Sequence, residues 1–443
     1  MPQRKPVMML TLPSGLRMPL YLDLSRASDE IVERRLLTIS RNMRVALIEL
    51  GGTISMQRSG VGGPLKPGRL NLHQLPPQLE KVRVSVTRVC SKDSVNLTES
   101  DLKRLHEKIA EYQNNGWYDG VVVVCGTDRM AEVVHKTAYC LKELRKPVIF
   151  TGALLPPDHP SFDGRDNLNA AIALAAVNKT PSILALFRRE SEKKVFDTWI
   201  WKYVDKAGVV GPRAFRYPGA VEKTIRLLPH PALKFERVQT ETRRPTLVES
   251  GFARVAHIHL EQHSVSTLPR NAKAVLIHSL GAGNISNSVR RMLVKLRNNK
   301  ARRGEYLPVA VVMTAHGPIE MHSYEPSALA LKDGFLPAAG LRPTPASVRL
   351  SWLAARLDQI KEAARKNNLG ENGVHKLFAT LFLSGLEFGF GNEPVEEAEK
   401  RREAHSKALG VPILGKDLLV EMPFANALEK AVDALKKNRG CAN

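Results

Sequence analysis

The chain has 443 residues, 43% of them hydrophobic and 25% charged. That suffices for one or two large cores, and no run of roughly 18 apolar residues is present to span a membrane. Lys and Arg number 66 against 44 acids, a net charge of +22, beyond what solubility needs, so an RNA-like anionic partner is expected beside the plainer alternative of a solvated basic surface.

Cys90, Cys125, Cys140 and Cys441 form no CxxC pair, which argues against a disulfide framework or a zinc ribbon and fits a reducing intracellular compartment, cytoplasmic or the mitochondrial matrix. The first 22 residues hold Arg4, Lys5 and Arg17 and no acid; residues 1–42 read as a basic N-terminal extension.

Met43 to Leu50 is an apolar run halted by Gly51-Gly52-Thr53, the pattern of a buried strand ending in a tight turn. The acids of Thr98-Glu99-Ser100-Asp101 suit a first helical turn, and Leu102, Leu105, Ile109 and Tyr112 continue at helical spacing. Gly120 to Cys125 is too apolar for a sheet with one wet face. It predicts a strand, followed by the turn Gly126-Thr127-Asp128, a helix over Met130 to Leu144, and a strand over Lys146 to Thr151. Asn167 to Val177 predicts an Ala-rich helix and Ile183 to Phe187 a further strand. This alternation implies a parallel sheet covered on both faces, with ligands at the carboxyl ends of its strands near residues 51–55, 125–129 and 151–153.

From 190 to 250 the chain is basic and punctuated by prolines, and it predicts a linker or exposed surface in which Trp199 and Trp201 suit a protein interface or stacked nucleotides. Val255 to Leu260, Ala274 to Ser279 and Val309 to Thr314 read as strands of a second unit, with a basic helix over Ser286 to Asn298. Beyond 370 come the charged cluster Glu396 to Glu403 and an amphipathic segment at Leu428 to Lys437. The expected organisation is a larger N-terminal parallel-sheet α/β domain at 43–240, a smaller C-terminal α/β domain at 241–370, and a C-terminal extension at 371–443.

The turns at Gly51-Gly52-Thr53 and Gly126-Thr127-Asp128 each set a threonine hydroxyl where the sheet opens. With Lys146 opening the next strand they offer a nucleophile, a second hydroxyl, an orienting carboxylate and a cation, a set suited to amide hydrolysis. Taken singly, each threonine is as well explained as a helix cap and Asp128 as a favourable charge at a helix N-terminus.

The ordered motifs resemble the type I, bacterial-type L-asparaginases. Gly51-Gly52-Thr53-Ile54-Ser55 resembles their first threonine motif, Asp93-Ser94 with Leu97-Thr98 their substrate-carboxylate loop, and Cys125-Gly126-Thr127-Asp128 their second threonine motif. Lys146-Pro147-Val148 to Thr151-Gly152-Ala153 resembles their lysine strand, and Asp163-Gly164 with Asn167-Leu168 their loop-to-helix transition. Gly281-Ala282-Gly283-Asn284 resembles a small-domain loop that reaches a neighbouring subunit's site. The resemblance implies an asparaginase-like fold, a homo-oligomer, and hydrolysis of L-asparagine to L-aspartate and ammonia. Thr53 is then the nucleophile, Thr127, Asp128 and Lys146 its support, and Asp93, Ser94 and Asn284 the substrate contacts. No cofactor is implied, and His106, His135, His278, His316 and His322 lack ligand spacing to carboxylates, so they read as packing or surface residues rather than metal ligands.

Three of the sequence's departures from the family fall at the expected site. The mobile loop's tyrosine is missing, Gly63 standing in its place; Cys125 replaces a histidine; and Arg129 replaces a threonine where a guanidinium can pair with Asp128. Together with the charge, these changes support two further expectations: a catalytically degenerate asparaginase fold serving as a structural subunit of a ribonucleoprotein assembly such as a mitochondrial ribosome, or an amidotransferase subunit acting on charged tRNA.

Overall fold

The computed structural model describes residues 8–11, 17–20, 42–60, 63–70, 79, 82–178, 181–188, 195–201, 204, 223–226, 234–235, 245–260, 269, 271–279, 283–313, 319, 321–370, 372–386 and 395–440. The chain divides into two compact units, Met1–Val248 and Glu249–Asn443. The division thus falls after the expected 240, and residues beyond 371 belong to the second unit rather than to a separate extension.

In the first unit, β1 (Met8–Thr11) and β2 (Arg17–Leu20) form an antiparallel hairpin within the expected N-terminal extension, most of which otherwise lies outside the described residues. β3 (Met43–Gly51) is buried at every position but Arg44. A 3-10 turn over Thr53–Ser55 follows, then the small hairpin of β4 (Gln57–Arg58) and β5 (Leu65–Lys66). β6 (Val82–Lys92) leads to α1 (Glu99–Asn114), which starts in a capping box: Thr98 Oγ1 accepts from the Asp101 N–H at 3.2 Å while the Asp101 carboxylate accepts from the Thr98 N–H at 2.9 Å.

β7 (Gly120–Val124) is wholly buried, as four successive valines covered on both faces require. α2 (Met130–Cys140) stops short of Leu144 because β8 (Leu141–Lys142) peels off to pair with β14 (Leu247–Val248). β9 (Val148–Thr151), α3 (Gly164–Val177) and β10 (Ile183–Arg188) complete the alternation. β11 (Val195–Ile200) and β12 (Lys223–Arg226) then add antiparallel strands to the sheet, so part of the expected linker is sheet; the rest of 190–250 lies mostly outside the described residues. β13 (Lys234–Phe235) pairs with β1.

The main sheet runs β12-β11-β10-β9-β7-β3-β6, parallel from β10 to β6. Leu168, Ala171, Ile172 and Ala175 of α3 pack on Val45, Leu47, Val122 and Ile149 in one core. The approach is close: a Cβ on Gly120 would stand 2.2 Å from the Ala175 carbonyl oxygen. β6 is not foreshadowed by any apolar run because it is an edge strand; beyond a buried Val82 its residues are partly buried or exposed, down to an exposed Val86.

The second unit carries a parallel sheet of β15 (Val255–His259), β16 (Ala274–Ser279), β17 (Val309–Met313) and β18 (Leu336–Pro337), in that spatial order. α4 (Asn287–Ala301), capped by the Ser286 hydroxyl, and α5 (Glu325–Lys332) lie between strands. Among the described residues, the unit closes with α6 (Pro343–Ala354), α7 (Leu357–Lys366), α8 (Gly373–Leu383), α9 (Val395–Leu409), α10 (Leu418–Glu421) and α11 (Phe424–Gly440). Those after α7 are part of the core. Phe378 and Phe382 of α8 are fully buried, and the rings of Trp352 and Phe424 meet at 5.4 Å.

Arg349 of α6 is the polar centre of this packing, fully buried. Its Nε donates to the Phe382 carbonyl at 2.7 Å and Nη2 to those of Leu381 at 3.1 Å and Ser384 at 2.6 Å; Nη1 pairs with Asp417 at 2.8 Å. A buried guanidinium is tolerable only when its donors are matched, and here it also satisfies carbonyls at the end of α8. No helix among the described residues is long and apolar enough to cross a membrane. Replacing Arg349 with Leu is expected to cost about 3 kcal/mol or more, read as a lowered urea midpoint; an unchanged midpoint would show the network to be dispensable.

Candidate active site

The chain runs β3, then β6 on one side of it, then β7 on the other. Successive connections therefore diverge at β3 and β7, and the crevice beyond their carboxyl ends is where such sheets bind ligands. Two glycine turns close on each other there. Gly51 and Gly52 have φ of +104° and +94°, a region that strains any side chain, and the Gly52 N–H donates to the Lys92 carbonyl at 3.0 Å. A Cβ on Gly52 would stand 2.4 Å from the Gly126 Cα, so the two backbones touch and the next residues, Thr53 and Thr127, are neighbours.

A third loop joins them. A Cβ on Gly126 would stand 2.7 Å from Ser94 Oγ, and that hydroxyl accepts from the Arg129 N–H at 3.4 Å. Asp93 caps the 3-10 turn Ser94–Asn96, its carboxylate accepting from the Val95 N–H at 3.3 Å. Ser94 and Thr127 are buried, Thr53 and Asp93 half-buried, and Asp128 exposed. Thr53, Thr127, Asp128, Asp93 and Ser94 thus line one edge of the sheet.

The loop after β9 is held from below. The Asp163 carboxylate accepts from the Leu154 and Leu155 N–H groups at 3.1 Å, and Asn167 Nδ2 donates to the Gly152 carbonyl at 3.0 Å and to Asp163 at 2.8 Å. Asp163 and Asn167 therefore fix the third strand end, while the Arg58–Asp158 ion pair ties the β4–β5 hairpin to the loop beyond it.

Several sequence expectations change. Lys146 precedes β9 at the amino end of the sheet, where its Nζ donates to the Tyr112 carbonyl at 2.8 Å and to that of Asn115. A parallel strand separates it from the Thr53 edge by about 3.3 Å per residue, so it does not join the site. Arg129 does not pair with Asp128. Its Nε and Nη2 form a bidentate pair with Glu132, both at 2.8 Å, and its Nη1 donates to the Leu97 carbonyl at 2.6 Å. Trp201 packs edge-on against His135 and Tyr139 of α2, both ring pairs at 5.8 Å, so its ring is engaged within the unit. Asn284 lies in the second unit, its side-chain oxygen buried. Gly63 is described, with its N–H donating to the Gly60 carbonyl at 3.1 Å, whereas Val61 and Gly62 lie outside the described residues, as do Gly281 and Ala282.

Cys125, in place of the family's histidine, is fully buried and its thiol is pushed up to about 12 by that burial, which leaves it protonated and unreactive. Sequence reasoning missed Glu132. Burial alone would raise its carboxyl, but donation from Arg129 and Lys136 outweighs this and holds it at about 2. The spacing of Arg129 and Glu132 by one helical turn could have revealed the pair.

A doubly wound parallel sheet whose threonine-bearing glycine turns meet at the switch point defines an asparaginase-like α/β fold with a smaller C-terminal α/β unit. Residues 44–205 match the model of the asparaginase N-terminal domain. Over 363 residues the chain is 24% identical to a glutamyl-tRNA(Gln) amidotransferase subunit of Thermoplasma acidophilum, spanning 78% of this chain and 83% of that one. It is 22% identical over 341 residues to an L-asparaginase of Thermococcus kodakarensis, 74% of this chain and 99% of that one. The structure of L-asparaginase I from Vibrio cholerae has the same fold, with a TM-score of 0.55 at 19% identity over 71% of this chain and 93% of that chain.

Gly52→Ala is expected to destabilise the first unit by about 2 kcal/mol or more, from positive φ and backbone collision together; thermal unfolding at an unchanged midpoint would contradict the contact. Glu132, held below its ordinary value of 4.5, contributes stability that is present above that value and fades as pH falls toward about 2. The deficit of Glu132→Gln relative to wild type should therefore be largest near neutral pH and shrink through that window, measured by denaturant unfolding at each pH; a deficit independent of pH would argue against the ion pair.

Proposed function

We propose that the Thr53 edge of the first unit hydrolyses a side-chain carboxamide, with L-asparagine as substrate. The observation that carries this is the contact between the Gly52 and Gly126 turns, which sets two threonines together beside Ser94 at the switch point. Thr53 Oγ attacks the amide carbon, and its proton passes by way of the Thr127 hydroxyl to the departing nitrogen, which leaves as ammonia. Water then hydrolyses the Thr53 ester to L-aspartate and restores the hydroxyl. Asp93 and Asp128 take the substrate's ammonium, and Ser94 offers a hydroxyl to its carboxylate. Ammonia release from L-asparagine by wild type is expected to exceed that of Thr53→Ala by about 100-fold or more; equal rates sink the proposal.

A second reading is the amide-hydrolysing subunit of an amidotransferase acting on charged tRNA. It is supported by similarity to the Thermoplasma amidotransferase subunit over most of both chains and by the +22 charge, which suits a polyanionic partner. L-glutamine turnover faster than L-asparagine turnover, with tRNA retained at moderate salt, would favour this reading. A chain that retains RNA but releases no ammonia from either amide is instead the structural subunit of a ribonucleoprotein assembly.

A further inference from the structure

The sheet of the second unit gathers three imidazoles that lie apart in the sequence. His257 and His259 alternate on β15 and so share one face of it, while parallel register sets His259 directly beside His278 of β16. Their ligand-capable nitrogens all lie within 4.8 Å of one another. His257 Nδ1 is 2.9 Å from His278 Nε2, and the His259 and His278 rings stack at 3.9 Å between centroids.

Packing does not account for this cluster. On β15, Ala256 and Ile258 supply the buried face, whereas His257 and His259 are exposed and only His278 is buried. β15 is also the edge strand of its sheet, and the His257 and His259 rings on it meet solvent. Among the described residues, the side-chain hydrogen bonds of His257 run to His278 and, at 3.0 Å from Nε2, to Ser347 Oγ of α6. If Nε2–H donates to Ser347, the His257 tautomer leaves the Nδ1 lone pair aimed at His278 Nε2. This is the arrangement by which an outer hydroxyl orients a metal-binding imidazole.

We propose that His257, His259 and His278 form a binding site for a divalent transition-metal ion of the zinc class, with water from the open side as the fourth ligand. Zinc–nitrogen bonds of about 2.0–2.1 Å in a tetrahedron place the nitrogens about 3.3 Å apart. The His257–His278 contact at 2.9 Å must therefore open slightly as the ion takes the place of the shared proton, while the remaining separations contract from at most 4.8 Å. Side-chain torsions provide such shifts, and the strands hold the three Cα positions. Softness and charge select the ion: three neutral nitrogens with no carboxylate in the cluster suit Zn(II), Co(II), Ni(II) or Cu(II) and not Ca(II) or Mg(II).

The test uses the full chain, stripped with chelator and titrated by calorimetry with Zn(II) alone and by visible absorption with Co(II) alone. The expected result is saturable binding of one ion per chain, with a tetrahedral Co(II) spectrum. His257→Ala and His259→Ala, both at exposed positions, should each weaken binding by about 100-fold, while His159→Ala, an exposed histidine of the first unit, leaves it unchanged. Absence of one-to-one binding, or binding that persists in the His257→Ala/His259→Ala double variant, overturns the site. The readout does not involve amide hydrolysis, so the outcome is independent of the proposed activity.

Discussion

The first unit depends on the backbone contact between Gly52 and Gly126. Two strands adjacent in space but separated in sequence by β6 and α1 end in turns that meet within van der Waals limits. No side chain larger than hydrogen fits between them, and Gly52 must also hold a positive φ. The same contact that closes the sheet edge carries Thr53 to Thr127, so local conformational freedom and chemistry are coupled at one point. The surroundings reinforce it. Ser94 presses on Gly126, Lys92 accepts from Gly52, and the Asp163–Asn167 clamp fixes the third loop.

Charge is handled in the same spirit, by local matching. Asp101, almost wholly buried, is held well below the usual carboxylate range by donation from Lys92, Thr98 and Arg104, although its burial opposes the shift. Arg129 could have crowded the Thr53 edge, but Glu132 one turn further along α2 and the Leu97 carbonyl engage it. Arg349 does for the second unit what the glycine contact does for the first, joining α6, the end of α8 and Asp417 into one core. In each case a polar group inside the protein is tolerated because several partners converge on it.

The two units use their sheets differently. In the first, the functional candidates stand at strand ends, on turns, where backbone geometry positions short hydroxyl side chains. In the second, the histidines stand on the strands themselves, where register positions rings on adjacent strands. Both arrangements draw precision from hydrogen-bonded strands, the most rigid elements available, and both open toward solvent on one side.

Much of this was legible in the sequence. The apolar runs at β3, β7, β9 and β16, the glycine turns, the helical spacing of α1 and the Ala-rich run of α3 follow from local rules of burial and backbone freedom, and the ordered motifs identified the asparaginase-like first unit. What stayed hidden depended on distant partners. β6 is an edge strand with no continuous apolar signature. Lys146 reads as a site residue until the strand direction places it at the far end of the sheet. The charged segment after 371 reads as an extension because its apolar face is intelligible only against α6 and α7. His278 stands alone until parallel register sets it beside His259. Local chemistry along the chain sets which segments become strands and which turns need glycine, since burial pattern and backbone freedom are properties of near neighbours. Which ends meet is settled by the assembled sheet, because strand order, direction and register are encoded by no single segment.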